Sequence, residues 1–200
     1  MNYPNGIKKN IVKQPVNYKN RGMVLEDDIN LTNEYYIKIN KAFIYKKPTP
    51  IKIVKTDFPS RDKAVIKEAY FTIPSTTDYN GLYDGKYIDF EAKEVKSHTA
   101  FSLSNIHIHQ INHLKNIYEN KGIAFLIVRF TSLYETYLLM AKDLFDFLDN
   151  NERKSIPLDY FREKGYLLQQ GYMPRIDYLK IVDKVLEVSN NGKKEWKSYI

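Results

Sequence analysis

Tyr79-Asn80-Gly81-Leu82-Tyr83-Asp84-Gly85-Lys86-Tyr87-Ile88-Asp89-Phe90-Glu91-Ala92-Lys93-Glu94-Val95 is the stretch on which the reading of this chain turns. Asp-Gly between two aromatic-rich runs predicts a two-residue turn, and so a β-hairpin of 79–83 with 86–95. With Asp84-Gly85 as the bend, Tyr83 pairs with Lys86. Counting back sets Asp78 opposite Glu91 and Thr76 opposite Lys93. Side chains alternate along a strand, so Glu91 and Lys93 share a face while Phe90 and Ala92 point the other way. Opposed Cβ atoms lie ~4.5–5.5 Å apart, and two carboxylates held there repel. A divalent cation between them reverses the sign of that interaction, and carboxylate oxygens suit Mg²⁺ and Mn²⁺. Lys93 can then reach a phosphate oxygen or an attacking water. These are the parts of metal-assisted phosphodiester hydrolysis. The plainer alternative is a solvated Glu91–Lys93 pair worth ~0–1 kcal/mol.

Working outward, a helical pattern begins at Met23, with Leu25, Ile29, Tyr36 and Ile39 on one face. Ala42–Lys46 reads as a strand closed by Lys47-Pro48-Thr49-Pro50. Ile51–Lys55 and Ala64–Ile73 read as strands around the polar, turn-rich Thr56–Lys63. The stretch 47–74 is thus an arm between two core strands. Downstream, Ile106–Asn120 is a helix, Ile123–Phe130 an apolar run fit for a central strand, and Tyr134–Ala141 a further strand. Lys142–Asp149, Pro157–Lys164 and Ile176–Val188 read as helices. Residues 1–20 read as a basic arm and Ser189–Ile200 as a frayed polar tail. The order predicts an α/β or α+β domain around a mixed sheet.

The chain has 200 residues, of which 43% are hydrophobic and 28% charged, enough for one core without a metal or disulfide staple. It contains no cysteine, which excludes disulfides, cysteine-ligated zinc, iron–sulfur clusters and a thiol nucleophile. No apolar run reaches the ~20 residues of a membrane span. Met1–Gly6 shows no signal-peptide core, so the expected partners include no membrane and the expected location is cytoplasmic. The net charge of +7 is unevenly spread. Lys8, Lys9, Lys13, Lys19 and Arg21 stand without an acid in the first 21 residues, and residues 38–67 carry nine basic side chains against Asp57 and Asp62. A basic arm plus a basic insertion fits a polyanion.

On a helical wheel Gln110 falls within the apolar arc of Ile111, Leu114, Ile117 and Tyr118, so it needs a buried partner. A metal site across the sheet would supply one, as would the backbone. His109 and His113 have the spacing of a zinc-protease helix, but Gln110 replaces the base of His-Glu-x-x-His and both histidines fall opposite the apolar arc. They are expected to face solvent or DNA. Glu26, Asp27 and Asp28 read first as carboxylates favourable to a helix N-terminus, with Glu26 also a possible accessory acid.

Thr-Asp in a hairpin with Glu-Ala-Lys resembles the PD-(D/E)XK nuclease core. More closely, Arg21-Gly22-Met23, Leu25–Asn30, Lys47–Pro50, Ile66–Phe71, Ser75–Gly81, Tyr87–Glu94, Phe101, His109-Gln110 and Gly171–Tyr178 resemble the RecU family of Holliday-junction resolvases of Gram-positive bacteria. The resemblance implies an α/β fold with a PD-(D/E)XK restriction-endonuclease-like core, a mixed central sheet flanked by helices and a projecting β stalk at about 55–73. Residues 21–188 would form the nuclease domain. It implies a Mg²⁺-dependent homodimer, with Mn²⁺ a possible substitute, that nicks two symmetric strands of a four-way DNA junction. Its metal ligands would be Thr76, Asp78, Glu91 and Gln110, its transition-state lysine Lys93, and its catalytic set Asp78, Glu91 and Lys93. Arg61, Lys63 and Lys67 of the stalk would face the junction, with Arg21 a further DNA-binding candidate. A strand-exchange recombinase and a branch-migration helicase are the implied protein partners. The alternatives are a junction-binding module without catalysis and a restriction-type or repair nuclease on the same core.

Overall fold

The computed structural model describes residues 24–60, 63–72 and 76–197, without the side chains of 188–197. The basic arm at 1–20, Arg21 and Arg61 lie outside the described residues. In chain order the elements are α1 (Leu25–Lys38), β1 (Phe43–Lys46), β2 (Ile51–Asp57), β3 (Val65–Phe71), β4 (Tyr79–Tyr83), β5 (Lys86–Val95), β6 (Ala100–Ser102), α2 (Ile108–Glu119), β7 (Ile123–Phe130), β8 (Glu135–Met140), α3 (Ala141–Asn150), β9 (Ser155–Pro157), α4 (Leu158–Lys164), β10 (Tyr166–Leu167) and α5 (Tyr178–Lys197).

Six strands form a mixed sheet in the order β1-β4-β5-β7-β8-β10. Only β5 and β7 are parallel within it, and α2 makes the crossover that a parallel pair requires. The hairpin has the anticipated register, Tyr83 with Lys86 and Tyr79 with Phe90. Its turn residues have positive φ, 49° at Asp84 and 68° at Gly85, as the tightest hairpin bends demand. Gly81 serves a different need: a Cβ there would lie 2.0 Å from the Phe43 carbonyl, so only glycine lets β4 approach β1.

Helices cover both faces of the sheet. On one, Leu25, Ile29 and Tyr36 of α1 and Tyr178, Leu179 and Val182 of α5 pack on Ile88, Phe90, Phe125 and Ile127. Tyr79, Phe90 and Phe125 stack in series there, with centroids 4.9 and 4.6 Å apart. On the other, Leu114 of α2, Leu144 and Phe147 of α3 and Phe161 of α4 pack on Leu126, Val128 and Phe130. All eight residues of β7 are buried, including Arg129.

Arg129 is tolerated inside because Asp28 meets it at 2.6 Å (Nη2 to Oδ2), and the other Asp28 oxygen takes Arg175 Nε at 2.9 Å. This corrects the helix-terminus reading of Asp28, which is 1% exposed and belongs to an interior ion network. The α1 N-terminus is served from a distance instead: Leu25 N–H donates to Glu94 Oε1 at 2.8 Å. Ile39 departs from expectation too. It lies past the last helical residue and is 48% exposed. At the other end the backbone of 189–197 continues α5 where a frayed tail was expected.

β2 and β3 pair with each other as a separate two-stranded ribbon that starts at Ile51, and nearly every residue of it is exposed. Among the described residues no helix is long and apolar enough to cross a membrane.

Candidate active site

Period-two alternation along β5 sends Ile88 and Phe90 into the α1/α5 core and turns Asp89, Glu91 and Lys93 towards α2. Glu91 is 0% exposed. Its Oε2 accepts the Asp78 backbone N–H at 3.0 Å, its Oε1 accepts Gln110 Nε2 at 2.7 Å, and Lys93 Nζ pairs with that same Oε1. Burial first, and then the neighbouring Asp78 carboxylate, push the Glu91 carboxyl up to about 7, against the pull of Lys93. Two carboxylates therefore neighbour one ammonium group, with Glu91 fully buried and Asp78 and Lys93 half-buried.

Asp78, Glu91, Lys93 and Gln110 are thus brought together from three separate segments. Gln110 is 4% exposed and doubly used, since its Oε1 accepts the His107 backbone N–H at 2.9 Å and closes a capping box at the start of α2. Thr76 is half-buried two residues before Asp78. Glu26 sits at the border. Its carboxylate pairs with Lys46 at the surface, while its charge, with those of Asp78, Asp27 and Glu91, adds to the burial that raises the Tyr79 hydroxyl. Lys63 and Lys67 lie on or beside the exposed ribbon, and Lys67 Nζ is 3.4 Å from Asp57.

The histidine expectation is corrected. His113 Nε2 lies 3.1 Å from Asp89 Oδ2, turned to the sheet, and His109 is half-buried. Tyr118 is 41% exposed, so the buried face of α2 is centred nearer Gln110 and Leu114 than the apolar residues indicate. His113, only about 60° from Gln110 on the wheel, is long enough to reach in. Sequence reasoning also passed over Asp89 and Lys47. Asp89 is 0% exposed and accepts from Lys47 Nζ at 2.8 Å, Tyr87 Oη at 3.0 Å and Thr77 Oγ1. Its position two residues from Glu91 was the available signal, because it shares the site-facing side of β5.

The ligand atoms that Asp78 and Glu91 offer are carboxylate oxygens, the hard donors preferred by Mg²⁺ and Mn²⁺, whereas Gln110 turns its Nε2 to Glu91 and its Oε1 to the His107 N–H. Among the described residues no group of three or more His, Asp or Glu is placed to hold a metal ion. Mg²⁺ needs no such group, as it keeps several waters and takes one or two carboxylates. Asp78 and Glu91 fit such an ion: burial first, and then the neighbouring Asp78 charge, hold Glu91 towards its protonated form, and a cation there would offset both.

The family model described as "RecU: Recombination protein U" matches residues 20–184. A protein of Bacillus cereus (strain AH820) named "Holliday junction resolvase RecU" is 52% identical over 193 residues, covering 92% of this chain and 96% of its own length. One of the same name from Oceanobacillus iheyensis is 53% identical over 194 residues, covering 92% of this chain and 99% of its own. A solved structure of Archaeoglobus fulgidus Hjc, a Holliday junction resolvase from an archaeal hyperthermophile, aligns over 70% of this chain and 94% of that one, with 9% identity and a TM-score of 0.40. A family match that runs from the residue before Arg21 almost to the middle of α5, together with relatives more than half identical over 92% of the chain, establishes that this chain belongs to the RecU family.

Proposed function

We propose that this protein is a Mg²⁺-dependent, structure-selective endonuclease of PD-(D/E)XK type that resolves Holliday junctions by paired symmetric nicks in recombination and repair. The observation that carries the reading is the fully buried Glu91 carboxylate, held beside Asp78 and pinned by Lys93 and Gln110. The relatives' name supplies the substrate class.

Thr76, Asp78 and Glu91 would hold the cation, joined by Gln110 once its amide turns to present Oε1 in place of Nε2, with Mn²⁺ an acceptable substitute and Glu26 an accessory acid. When bound, the cation supplies Lewis acidity and an activated water at neutral pH. Lys93 is aimed by its bond to Glu91, so its ammonium can stabilise charge developing on the phosphate oxygens. Asp78 and Glu91 fix the acidic side of the site, and the full burial of Glu91 keeps bulk water from screening its charge.

The exposed β2–β3 ribbon serves as the stalk. Arg61, Lys63 and Lys67, together with Arg21, bind the junction by its phosphates. Phosphate contacts position without reading sequence, so selection of a four-way branch rests on shape. A homodimer gives one site to each of two symmetry-related strands. Partnership with a recombinase and a branch-migration helicase belongs to the same reading.

The test is cleavage of four-way junction, linear duplex and flap DNA, with binding followed in Ca²⁺. Paired nicks in the junction, dependent on Mg²⁺ and absent from duplex, are expected. Junction binding without nicking in Mg²⁺ or Mn²⁺ would reduce the protein to a binding module. Equal cutting of all three substrates would make it a general nuclease.

A further inference from the structure

We propose that Asp89 is a positioning residue of this site: its buried carboxylate clamps the Asp78 segment, the root of the β2–β3 ribbon and helix α2 in one arrangement, and so sets the cation affinity of Asp78 and Glu91. The inference rests on the metal-nuclease reading above.

A buried carboxylate costs several kcal/mol unless it is paired and hydrogen-bonded. Asp89 meets four donors. Tyr87 comes from β5 itself. The other three come from separate places: Lys47 from the link between β1 and β2, Thr77 from the approach to β4, and His113 from α2. Each adjoins a piece of the site. Thr77 immediately precedes Asp78, His113 is three residues beyond Gln110 on α2, and Lys47 leads through Pro48-Thr49-Pro50 into β2.

Asp78 needs this support. It lies just before β4 begins, outside the strand that would fix its backbone. Its peptide is held from three directions. Its N–H donates to Glu91 Oε2, its carbonyl accepts Lys47 N–H at 2.8 Å, and the preceding Thr77 hydroxyl donates to Asp89. Lys47 Nζ braces the last of these, donating to both Thr77 Oγ1 at 2.9 Å and Asp89 Oδ2 at 2.8 Å. Remove the Asp89 charge and Thr77, Lys47 and His113 lose their common acceptor. The Asp78 carboxylate then loses its fixed distance from Glu91. Groups that orient metal ligands typically account for about 10- to 100-fold in metal affinity or activity.

The test uses the full-length protein and the variants Asp89→Asn, Thr77→Val and Thr77→Ser. Mn²⁺ binding is followed by calorimetric titration, Mg²⁺ dependence by single-turnover junction cleavage, and folding by thermal unfolding. Asp89→Asn and Thr77→Val are expected to raise the Mn²⁺ dissociation constant and the half-saturating Mg²⁺ concentration by about 10- to 100-fold. Thr77→Ser, which keeps the hydroxyl, should restore both cation values. Folded variants with wild-type cation affinity would overturn the proposal, even if they melt earlier, because a merely structural clamp would move stability alone. Should Asp89→Asn not fold, Thr77→Val removes one hydroxyl and no charge, and decides by the same two readings. Glu91→Ala marks full loss of the site. Wild-type protein that binds no Mn²⁺ would overturn the metal-nuclease reading and this proposal together.

Discussion

Asp28 and Glu91 lie in opposite faces of the same sheet, equally shielded from water and differently neutralised. Asp28 receives two guanidinium groups, from Arg129 and Arg175, and Arg129 Nη1 also lies 3.7 Å from Glu94. Two acids there meet two bases. Glu91 meets one lysine and a second acid, Asp78. The interior completes the charge balance with its own side chains where the acid holds α1, β7 and the 170–177 loop together. It leaves a negative surplus at the proposed cation site.

The sharpest way to break this contrast is to remove each acid. Glu91→Ala or Asp78→Ala should lower Mg²⁺-dependent junction cleavage by at least about 10³-fold, since several kcal/mol of metal-derived stabilisation is lost. Junction binding in Ca²⁺ should persist in both. A variant that still cuts at the wild-type rate removes the site. Asp28→Ala should do the reverse, costing about 3–5 kcal/mol of stability by taking the close partner from the buried Arg129 and from the half-buried Arg175, while the cleavage rate per folded molecule is kept. Chemical unfolding and single-turnover cleavage measured on the same preparation separate the two effects.

The burial of Glu91, with Asp78 beside it, also predicts a pH dependence. Glu91 titrates at about 7 in the metal-free fold against 4.5 ordinarily, so the folded state binds the extra proton between those values. Stability in EDTA should therefore fall as pH rises from about 4.5 through about 7, by up to about 3 kcal/mol relative to Glu91→Gln. Saturating Mg²⁺ at neutral pH should reverse the loss. Identical pH profiles for wild type and Glu91→Gln would show that Glu91 is not raised by its burial and its neighbour.

The exposed ribbon supplies the solvent end of the comparison. Lys67 and Asp57 are more than half exposed, so Lys67→Ala should change stability by less than about 1 kcal/mol. If Lys67 binds a phosphate, the slope of log affinity against log salt should drop by about 0.9 for each phosphate no longer neutralised. An unchanged slope would take this lysine out of the DNA interface.

Much of this was legible in the chain. The bounds of β4, β5 and β7 follow from an Asp-Gly bend and an unbroken apolar run, both local signals. Periodicity placed Gln110 on the buried side of α2, and its partner proved to be Glu91. The short strands β6, β9 and β10 were not legible, because two or three residues carry no period and exist only by pairing with distant segments. Nor was the role of Asp28: Arg129 is 101 residues away and Arg175 147, whereas a local reading sees only three acids at a helix start.

The amino-acid order alone determined the hairpin, its register and hence that Asp78 would oppose Glu91, because turn chemistry and strand alternation act over a few residues. Which charges are answered was decided only by the tertiary structure. It brought Lys47, Thr77 and His113 to Asp89, brought two arginines to Asp28, and left Glu91 with one lysine and a second acid. Electrostatic balance depends on distance and burial, and neither exists until segments remote in sequence have packed.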